Sequence, residues 1–129
     1  ALACPNRTFS LLMSSSAAQI GLVNHEAIAA AKAGIIGLAR SAAATYAPYG
    51  LRFNVVAPGL TETSLTQALT QNEVMRKASE QMHPLGRLGQ TQDIAQAIAF
   101  FLNPENNWIT GQVLSVDGGL STLKSRIKS

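Results

Sequence analysis

The sequence predicts an α/β fold with a parallel sheet, because short β-prone runs alternate with longer segments of helical periodicity along its 129 residues. Strands in this order favour parallel pairing through right-handed crossover connections. Three strands are expected, at Thr8–Met13, Leu51–Val56 and Ile109–Val116. Each is a brief apolar run that ends in turn-forming residues, which is typical of a buried strand. The length fits one domain that covers residues 1–129.

The first helix is expected to follow Asn24, a candidate N-cap with Glu26 in the first helical turn. It should continue to about Tyr46, because Pro48 and Gly50 then stop a helix. The segment is rich in alanine and glycine, so a neighbouring element can approach it closely.

A second helix is expected from the candidate N-cap Thr91 to about Leu102, where apolar residues recur at helical spacing. Between the second strand and this helix, residues 61–82 are polar with weak helical periodicity. They predict one or two short helices over a cleft. Residues 83–89 are rich in turn formers, so the sequence predicts a turn-rich connection there, with a structural role for His83.

The charge pattern gives little reason to expect a nucleic acid partner. The formal net charge is +3, and three cations, Lys124, Arg126 and Lys128, lie together near the end of the sequence. Basic helices interleaved with aromatic residues, which mark many nucleic acid-binding proteins, are not evident. A dinucleotide needs only one or two cations and remains compatible with this composition.

The single cysteine, Cys4, has no partner for an internal disulfide, so a reducing cytoplasm is the expected location. The apolar run Phe9–Met13 is too short to span a membrane. No targeting segment or membrane partner is therefore expected. A metal site is not expected either, because Asp117 lacks a second carboxylate at ligand spacing.

Four stretches carry a resemblance to a known family, and they occur in the family's order. They are Ser14–Ser16, Asn24–Lys32, Asn54–Thr63 and Thr110–Gly119. Together they resemble the short-chain dehydrogenase/reductase family, whose pattern is serine, tyrosine thirteen residues later and lysine four residues after that. Ser15 and Lys32 hold the outer positions, and Ile28 stands in place of the tyrosine.

The resemblance implies a Rossmann-like three-layer fold, of which this chain matches the C-terminal half. A fold of this kind binds a dinucleotide on a glycine-rich loop after its first strand, and no such loop precedes a helix here. The N-terminal cofactor half is therefore expected to be absent from this chain. The strand Thr8–Met13 should then have an unpaired edge, covered by a missing segment, another chain or self-association. A competing expectation is that the chain's own N-terminal residues shield that edge.

In the family, the serine orients the substrate carbonyl, and the lysine lowers the pKa of the tyrosine and binds the nicotinamide ribose. The resemblance assigns these roles to Ser15 and Lys32. Each residue also has a simpler interpretation. Ser15 can satisfy a backbone group in its loop, and Lys32 can be a solvated helix residue.

Ile28 cannot donate a proton, and its ordinary interpretation is an aliphatic residue on the buried face of a helix. His25 is the candidate replacement, because positions 25, 28 and 32 fall on one helical stripe. An imidazole is a competent acid near neutral pH. The competing interpretation is a first-turn histidine without a chemical role.

Pro58 and Gly59 resemble the family's loop along the nicotinamide side of the cofactor, and Thr61 and Thr63 match positions that contact its carboxamide or phosphates. A plain strand-terminating turn is the alternative. The stretch Asp117–Gly119 resembles the family's C-terminal signature, which is structural.

The function implied by the resemblance is an oxidoreductase that uses NAD or NADP on a small carbonyl or alcohol, present here as a partial chain. Family members are usually homo-oligomers, and the helix after Asn24 commonly packs on its symmetry mate. The main alternative is a catalytically inactive scaffold or partner subunit, which Ile28 favours. A third is a small-molecule binding module that uses the cleft beside Pro58–Gly59.

Overall fold

Three parallel strands form the central sheet in the part of the chain that the structure describes. The computed structural model describes residues 9–126. Strand β1 is Phe9–Met13, β2 is Arg52–Pro58 and β5 is Val113–Val116, and β2 lies between the other two. Both pairings are parallel, in the register Phe9 beside Arg52 and Val55 beside Val113. The predicted parallel sheet is thus confirmed.

Helices cover both faces of this sheet. Helix α1 is Glu26–Tyr46 and α4 is Thr91–Leu102. Val56 packs with Phe101 and its neighbours on α4, whereas the adjacent Val55 faces the other side, because successive strand residues alternate. Helix α1 packs against β2 with small buried residues such as Ala43. The layers are helix, sheet and helix, as the resemblance implied.

Between β2 and α4 the chain forms a short two-stranded pair and two helices. Strand β3 is Thr61–Glu62 and β4 is Gly89–Gln90, and the two run parallel. Helix α2 is Gln67–Thr70 and α3 is Glu73–Met82, which confirms the expected short helices. Every residue of α3 is exposed or half-buried. Two residues are too few to show a periodic pattern, so β3 and β4 escaped prediction.

The start of α1 differs from the expectation. Asn24 has a φ of 60°, and the residue at the N-cap position is His25. Asparagine tolerates this left-handed conformation, which turns the chain before the helix begins. Asn24 as N-cap was therefore wrong, whereas the helix end at Tyr46 is confirmed. Gly50, with a φ of 73°, then reverses the chain toward β2.

Helix α4 also begins differently from its prediction. Its N-cap is Gln90, so Thr91 is the first helical residue, not the cap. The carboxylate of Asp93 accepts the Gln90 N–H at 2.8 Å and pairs with Arg87 at 2.8 and 3.1 Å. The bond from Arg87, then that from the Gln90 backbone, lowers the pKa of Asp93 to about 2. These contacts form because the preceding turn brings Arg87 and Gln90 close to Asp93. They place the N-cap at Gln90 and not at Thr91.

The strand before the C-terminal motif is shorter than predicted. It begins at Val113, whereas the sequence predicted a start at Ile109. Gly111 has a φ of 70°, which interrupts the extended conformation. The side chain of Asn54 holds the preceding residues beside β2, donating to the Ile109 carbonyl at 3.1 Å and accepting the Gln112 N–H at 3.1 Å.

Strand β1 is an edge strand. It pairs with β2, and no residue between 9 and 126 pairs with its other side. Shielding by the chain's own N-terminal residues falls on residues 1–8, outside the described residues, as does Cys4. An open parallel edge of apolar character is a place where a further strand can add.

Helix α1 is long and apolar. An 18-residue window within Glu26–Tyr49 has a mean hydropathy of 1.3, so by length and composition alone the helix is long and apolar enough to cross a membrane. A single such helix is weak evidence for a membrane span, and here it packs on β2 and β1. Its exposed side carries Leu38, which is 61% exposed.

Candidate functional site

The carboxyl ends of the three parallel strands bring the motifs that carry the family resemblance to one edge of the sheet. Ser14–Ser16 follow β1, Gly59 follows β2 and Asp117 follows β5. Backbone bonds tie these ends together: Ser14 N–H donates to the Val56 carbonyl at 2.8 Å, and Gly59 N–H to the Val116 carbonyl at 3.0 Å. Ligand sites of open α/β sheets lie at this edge.

Ser15 lies at the start of a short 3₁₀ turn, Ser16–Ala18, and acts as its N-cap. Its Oγ accepts the N–H of Ala17 at 3.1 Å. A serine hydroxyl can accept and donate at the same time, so this bond leaves the Ser15 proton free for another acceptor. The backbone-satisfying role expected as the simpler interpretation is therefore present, and it is compatible with contact to a substrate.

Lys32 lies beside the end of β1. Its Nζ donates to the Met13 carbonyl at 3.3 Å, and its own carbonyl accepts the Ser14 hydroxyl at 2.8 Å. The side chain is half-buried, so Lys32 is not a freely solvated helix residue. An ammonium has three donors, and one bond to Met13 leaves two for a ligand. The structure thus brings Lys32 to the residue adjoining Ser15.

His25 and Ile28 both face solvent. Ile28 is 47% exposed, so the interpretation of a residue on the buried face was wrong. The exposure arises because α1 uses small residues such as Ala39 and Ala43 for its buried face. The Nδ1 of His25 lies 2.7 Å from the Val23 carbonyl, which holds the exposed ring against its own turn.

The loop that follows β2 is held by local hydrogen bonds. The Leu60 N–H donates to Nε2 of His83 at 3.2 Å, and the hydroxyl of Thr61 donates to the Gly59 carbonyl at 3.2 Å. Thr63 exchanges hydrogen bonds with Thr66, whose hydroxyl lies 2.8 Å from the Thr63 N–H. The hydroxyls of both predicted threonines are therefore engaged within the loop.

His83 is a buried support for this loop, with only 4% of its surface exposed. Its Nδ1 lies 2.7 Å from the Ser79 carbonyl, while Nε2 accepts from Leu60. One ring nitrogen must carry a proton and the other a lone pair to make both bonds, which a neutral imidazole does. A structural role for His83 was the expectation, and the contacts agree with it.

Asp117 caps its own turn and also accepts a hydrogen bond from a distant residue, which the sequence did not indicate. It accepts the N–H groups of Gly119 and Ser121, each at 3.0 Å, which is the expected turn role. It also accepts the Ser16 hydroxyl at 2.7 Å. This last contact joins residues 101 positions apart and has no signature in the sequence.

Opposing effects set the pKa of Asp117. Burial raises it, but hydrogen bonds from Ser121, Ser16 and Gly119 outweigh burial and hold the pKa below its ordinary 3.8. A carboxylate whose pKa is lowered by folding stabilises the folded chain above pH 3.8, and this contribution is lost as the pH falls through the lower folded value. At neutral pH Asp117 is a carboxylate.

A cleft of about 560 Å³ lies beside the loop after β2. Among the described residues, its lining includes Gly59, His83 and Asp117 but not Ser15 or Lys32. Within residues 9–126, no group of three or more His, Cys, Asp or Glu side chains is placed to hold a metal ion.

These features define an α/β protein with helices on both faces of a parallel sheet and with a serine and a lysine at the carboxyl edge of that sheet. Residues 5–121 match the family described as "Enoyl-(Acyl carrier protein) reductase". The chain belongs to the short-chain dehydrogenase/reductase family.

Similar proteins of known sequence are dehydrogenases and reductases. The chain is 40% identical to cis-4-hydroxycyclohexanecarboxylate dehydrogenase of Sinomonas cyclohexanicum, over 86% of this chain and 44% of that protein. It is 48% identical to 3-oxoacyl-(acyl-carrier-protein) reductase FabG of Vibrio cholerae, over 71% of this chain and 37% of that protein. The chain therefore spans less than half the length of the relatives that it matches.

Among solved structures, the chain resembles "ElxO with NADP bound" with a TM-score of 0.83 and 34% identity. The match covers 89% of this chain and 47% of that one. The fold of this chain is thus shared with part of an NADP-bound protein.

Gly59 is expected to be intolerant of any side chain. A Cβ there would lie 2.8 Å from Nε2 of His83 and 2.9 Å from Cα of Asp117, so the loop would have to move. Gly59→Ala should lower the free energy of unfolding by about 1–3 kcal/mol, the usual cost of overpacking. Urea denaturation monitored by circular dichroism measures this loss.

The matched control is Gly37→Ala, because a Cβ at this helical glycine meets open space. That substitution should raise the free energy of unfolding by about 0.5–1 kcal/mol, since alanine restricts the unfolded chain. A Gly59→Ala protein as stable as the unsubstituted chain would show that the loop after β2 is not held as described.

Proposed function

We propose that this chain forms the substrate-orienting half of an NAD(P)-dependent oxidoreductase that acts on a small carbonyl or alcohol. The observation that carries the proposal is the placement of Ser15 and Lys32. Both lie at the carboxyl end of β1, where Lys32 bonds to Met13 and Ser15 keeps a free hydroxyl proton. The kinship to dehydrogenases and reductases supports the same activity.

The described residues fit a nicotinamide nucleotide at this edge. Two unused donors on the Lys32 ammonium suit the vicinal hydroxyls of a ribose, and the charge suits an anionic ligand. The loop of Pro58 and Gly59, with Thr61 and Thr63, would border the nicotinamide side. When bound, the cofactor supplies or accepts the hydride. The match to an NADP-bound protein supports this class of cofactor.

Ser15 would orient the substrate by donating its hydroxyl proton to the carbonyl oxygen. A donor fixed by a backbone bond to its own oxygen needs little reorganisation when negative charge develops on that carbonyl. Lys32 would add positive charge nearby, which favours the same charge development.

The proton itself would come from His25, because Ile28 has none to give. The Nδ1 of the exposed imidazole lies 2.7 Å from the Val23 carbonyl, and Nε2 would be the nitrogen that delivers the proton. His25 is the N-cap of α1, one residue before the helix begins, so its ring would have to reach from the helix start toward Ile28, three residues later.

The partner of this chain would be a cofactor-binding half. Strand β1 has an unpaired edge among the described residues, and a further parallel strand would extend the sheet there. A homo-oligomer would use α1, whose exposed side offers Leu38 and open space at Gly34 and Gly37. A cytoplasmic location is part of the same proposal, since the single cysteine of the given sequence cannot form an internal disulfide.

A catalytically inactive scaffold or partner subunit is the second candidate function. It is favoured by one observation, the aliphatic Ile28 at 47% exposure where the family pattern has tyrosine. Cofactor binding without turnover would be its signature.

Lys32→Ala should weaken binding of the nicotinamide cofactor to the product of the full reading frame by about tenfold or more, because a charged hydrogen-bond donor is lost. Titration with NADPH and NADH, followed by nicotinamide fluorescence, measures the dissociation constant. Lys77→Ala is the control, since Lys77 is exposed on α3. Equal losses in both variants, or no saturable binding by the unsubstituted protein, would contradict the proposed cofactor site.

His25→Ala should keep cofactor binding and lower turnover of small aldehydes or ketones by about 10²–10⁴-fold, the usual contribution of a general acid. Circular dichroism establishes that the fold is retained. Unchanged turnover would remove His25 from the mechanism, and cofactor binding without any turnover in the unsubstituted protein would favour the scaffold.

A further inference from the structure

The contact between Ser16 and Asp117 links two ends of the sheet that the sequence keeps apart. The Ser16 hydroxyl donates to Oδ2 of Asp117 at 2.7 Å, and the bond is buried. Ser16 is 1% exposed and Asp117 is 7% exposed. A charge-assisted bond shielded from water is among the stronger hydrogen bonds of a protein. It connects β1 to β5 across the intervening β2.

Ser16 is the first residue of the turn that Ser15 caps. The turn is closed by three backbone bonds, from Ala18 to the Ser15 carbonyl at 3.0 Å and from Gln19 and Ile20 to the Ser16 carbonyl at 2.9 and 3.0 Å. Ser15 itself is extended, with φ −158° and ψ 152°. Anchoring Ser16 therefore fixes the point at which the chain changes from extended to helical, and so fixes the Ser15 side chain.

Asp117 is held by several contacts of its own. Its carboxylate holds Gly119 and Ser121 through their N–H groups at 3.0 Å, and its backbone carbonyl accepts from Leu120 at 3.1 Å. It also lies against Gly59, where a Cβ would come within 2.9 Å of Asp117 Cα. A carboxylate that is fixed on two sides can act as an anchor for a third group.

We propose that Asp117 is a positioning residue for Ser15, acting through the Ser16 hydroxyl. Asp117 then has two separable tasks, capping its own turn and holding the turn of Ser15 at the carboxyl end of β1. The inference depends on the proposed function only for what Ser15 does once it is positioned. The coupling between Asp117 and the turn of Ser15 lies within this chain and requires no cofactor or partner.

The test is amide hydrogen exchange by NMR in the 129-residue chain, with Ser16→Ala, Asp117→Ala and the double variant. Each single substitution should speed exchange of the Ala18, Gln19 and Ile20 amides by about tenfold relative to amides of β2. The double variant should add little to the larger single effect, since both substitutions remove the same bond.

The control is Asp93→Ala. Asp93 also accepts a backbone N–H at the start of a helix, at 2.8 Å from Gln90, but on α4. It should speed exchange near Gln90 and leave the turn of Ser15 unchanged. This separates a specific anchor from the general effect of losing a carboxylate.

Faster exchange confined to Gly119 and Ser121 in Asp117→Ala, with the turn of Ser15 unaffected, would overturn the inference and leave Asp117 as a turn cap. Additive effects in the double variant would overturn it as well. If Asp117→Ala does not fold, Ser16→Ala decides: unchanged exchange at Ala18, Gln19 and Ile20 refutes the anchor, and faster exchange supports it. Cofactor and turnover play no part, so an inactive chain with coupled turns would refute only the proposed function.

Discussion

Parallel pairing of β2 with a strand on each side determines where Ser15, Gly59 and Asp117 lie. Because β1, β2 and β5 all point the same way, Ser15, Gly59 and Asp117 follow their strands at one edge. Side-chain hydrogen bonds then link these ends. The Ser16 hydroxyl donates to Asp117, and the Leu60 N–H donates to His83. The register of three short strands is the constraint on which the site depends.

The same arrangement separates the parts of the proposed site that this chain holds by itself from the parts that it does not. Ser15 and Lys32 have local partners that hold them, so their geometry does not require the rest of a dinucleotide-binding fold. The proposed cofactor site would need further residues, and the relatives of this chain are more than twice as long as the part that it matches. Because Ile28 cannot donate a proton, the proton-donating step of the proposed mechanism rests on His25.

Much of the fold followed from the sequence, because periodicity and turn formers act locally. The end of α1 at Tyr46 and the two short helices after β2 are examples. The helix starts were misplaced, since the cap at Gln90 depends on an Asp93–Arg87 pair formed by the preceding turn. The Ser16–Asp117 bond was beyond prediction because it joins residues 101 positions apart.

The exchange rates of the β1 amides test most directly whether this chain presents an open edge to a missing half. Ser14 N–H donates to Val56, so by alternation the Leu12 amide also faces β2, whereas those of Leu11 and Met13 face the other edge. In the monomeric chain, Leu12 should exchange slowly and Leu11 and Met13 rapidly. Equally slow exchange at all three would show that the edge is already covered, and would contradict the account of a fold that needs another strand.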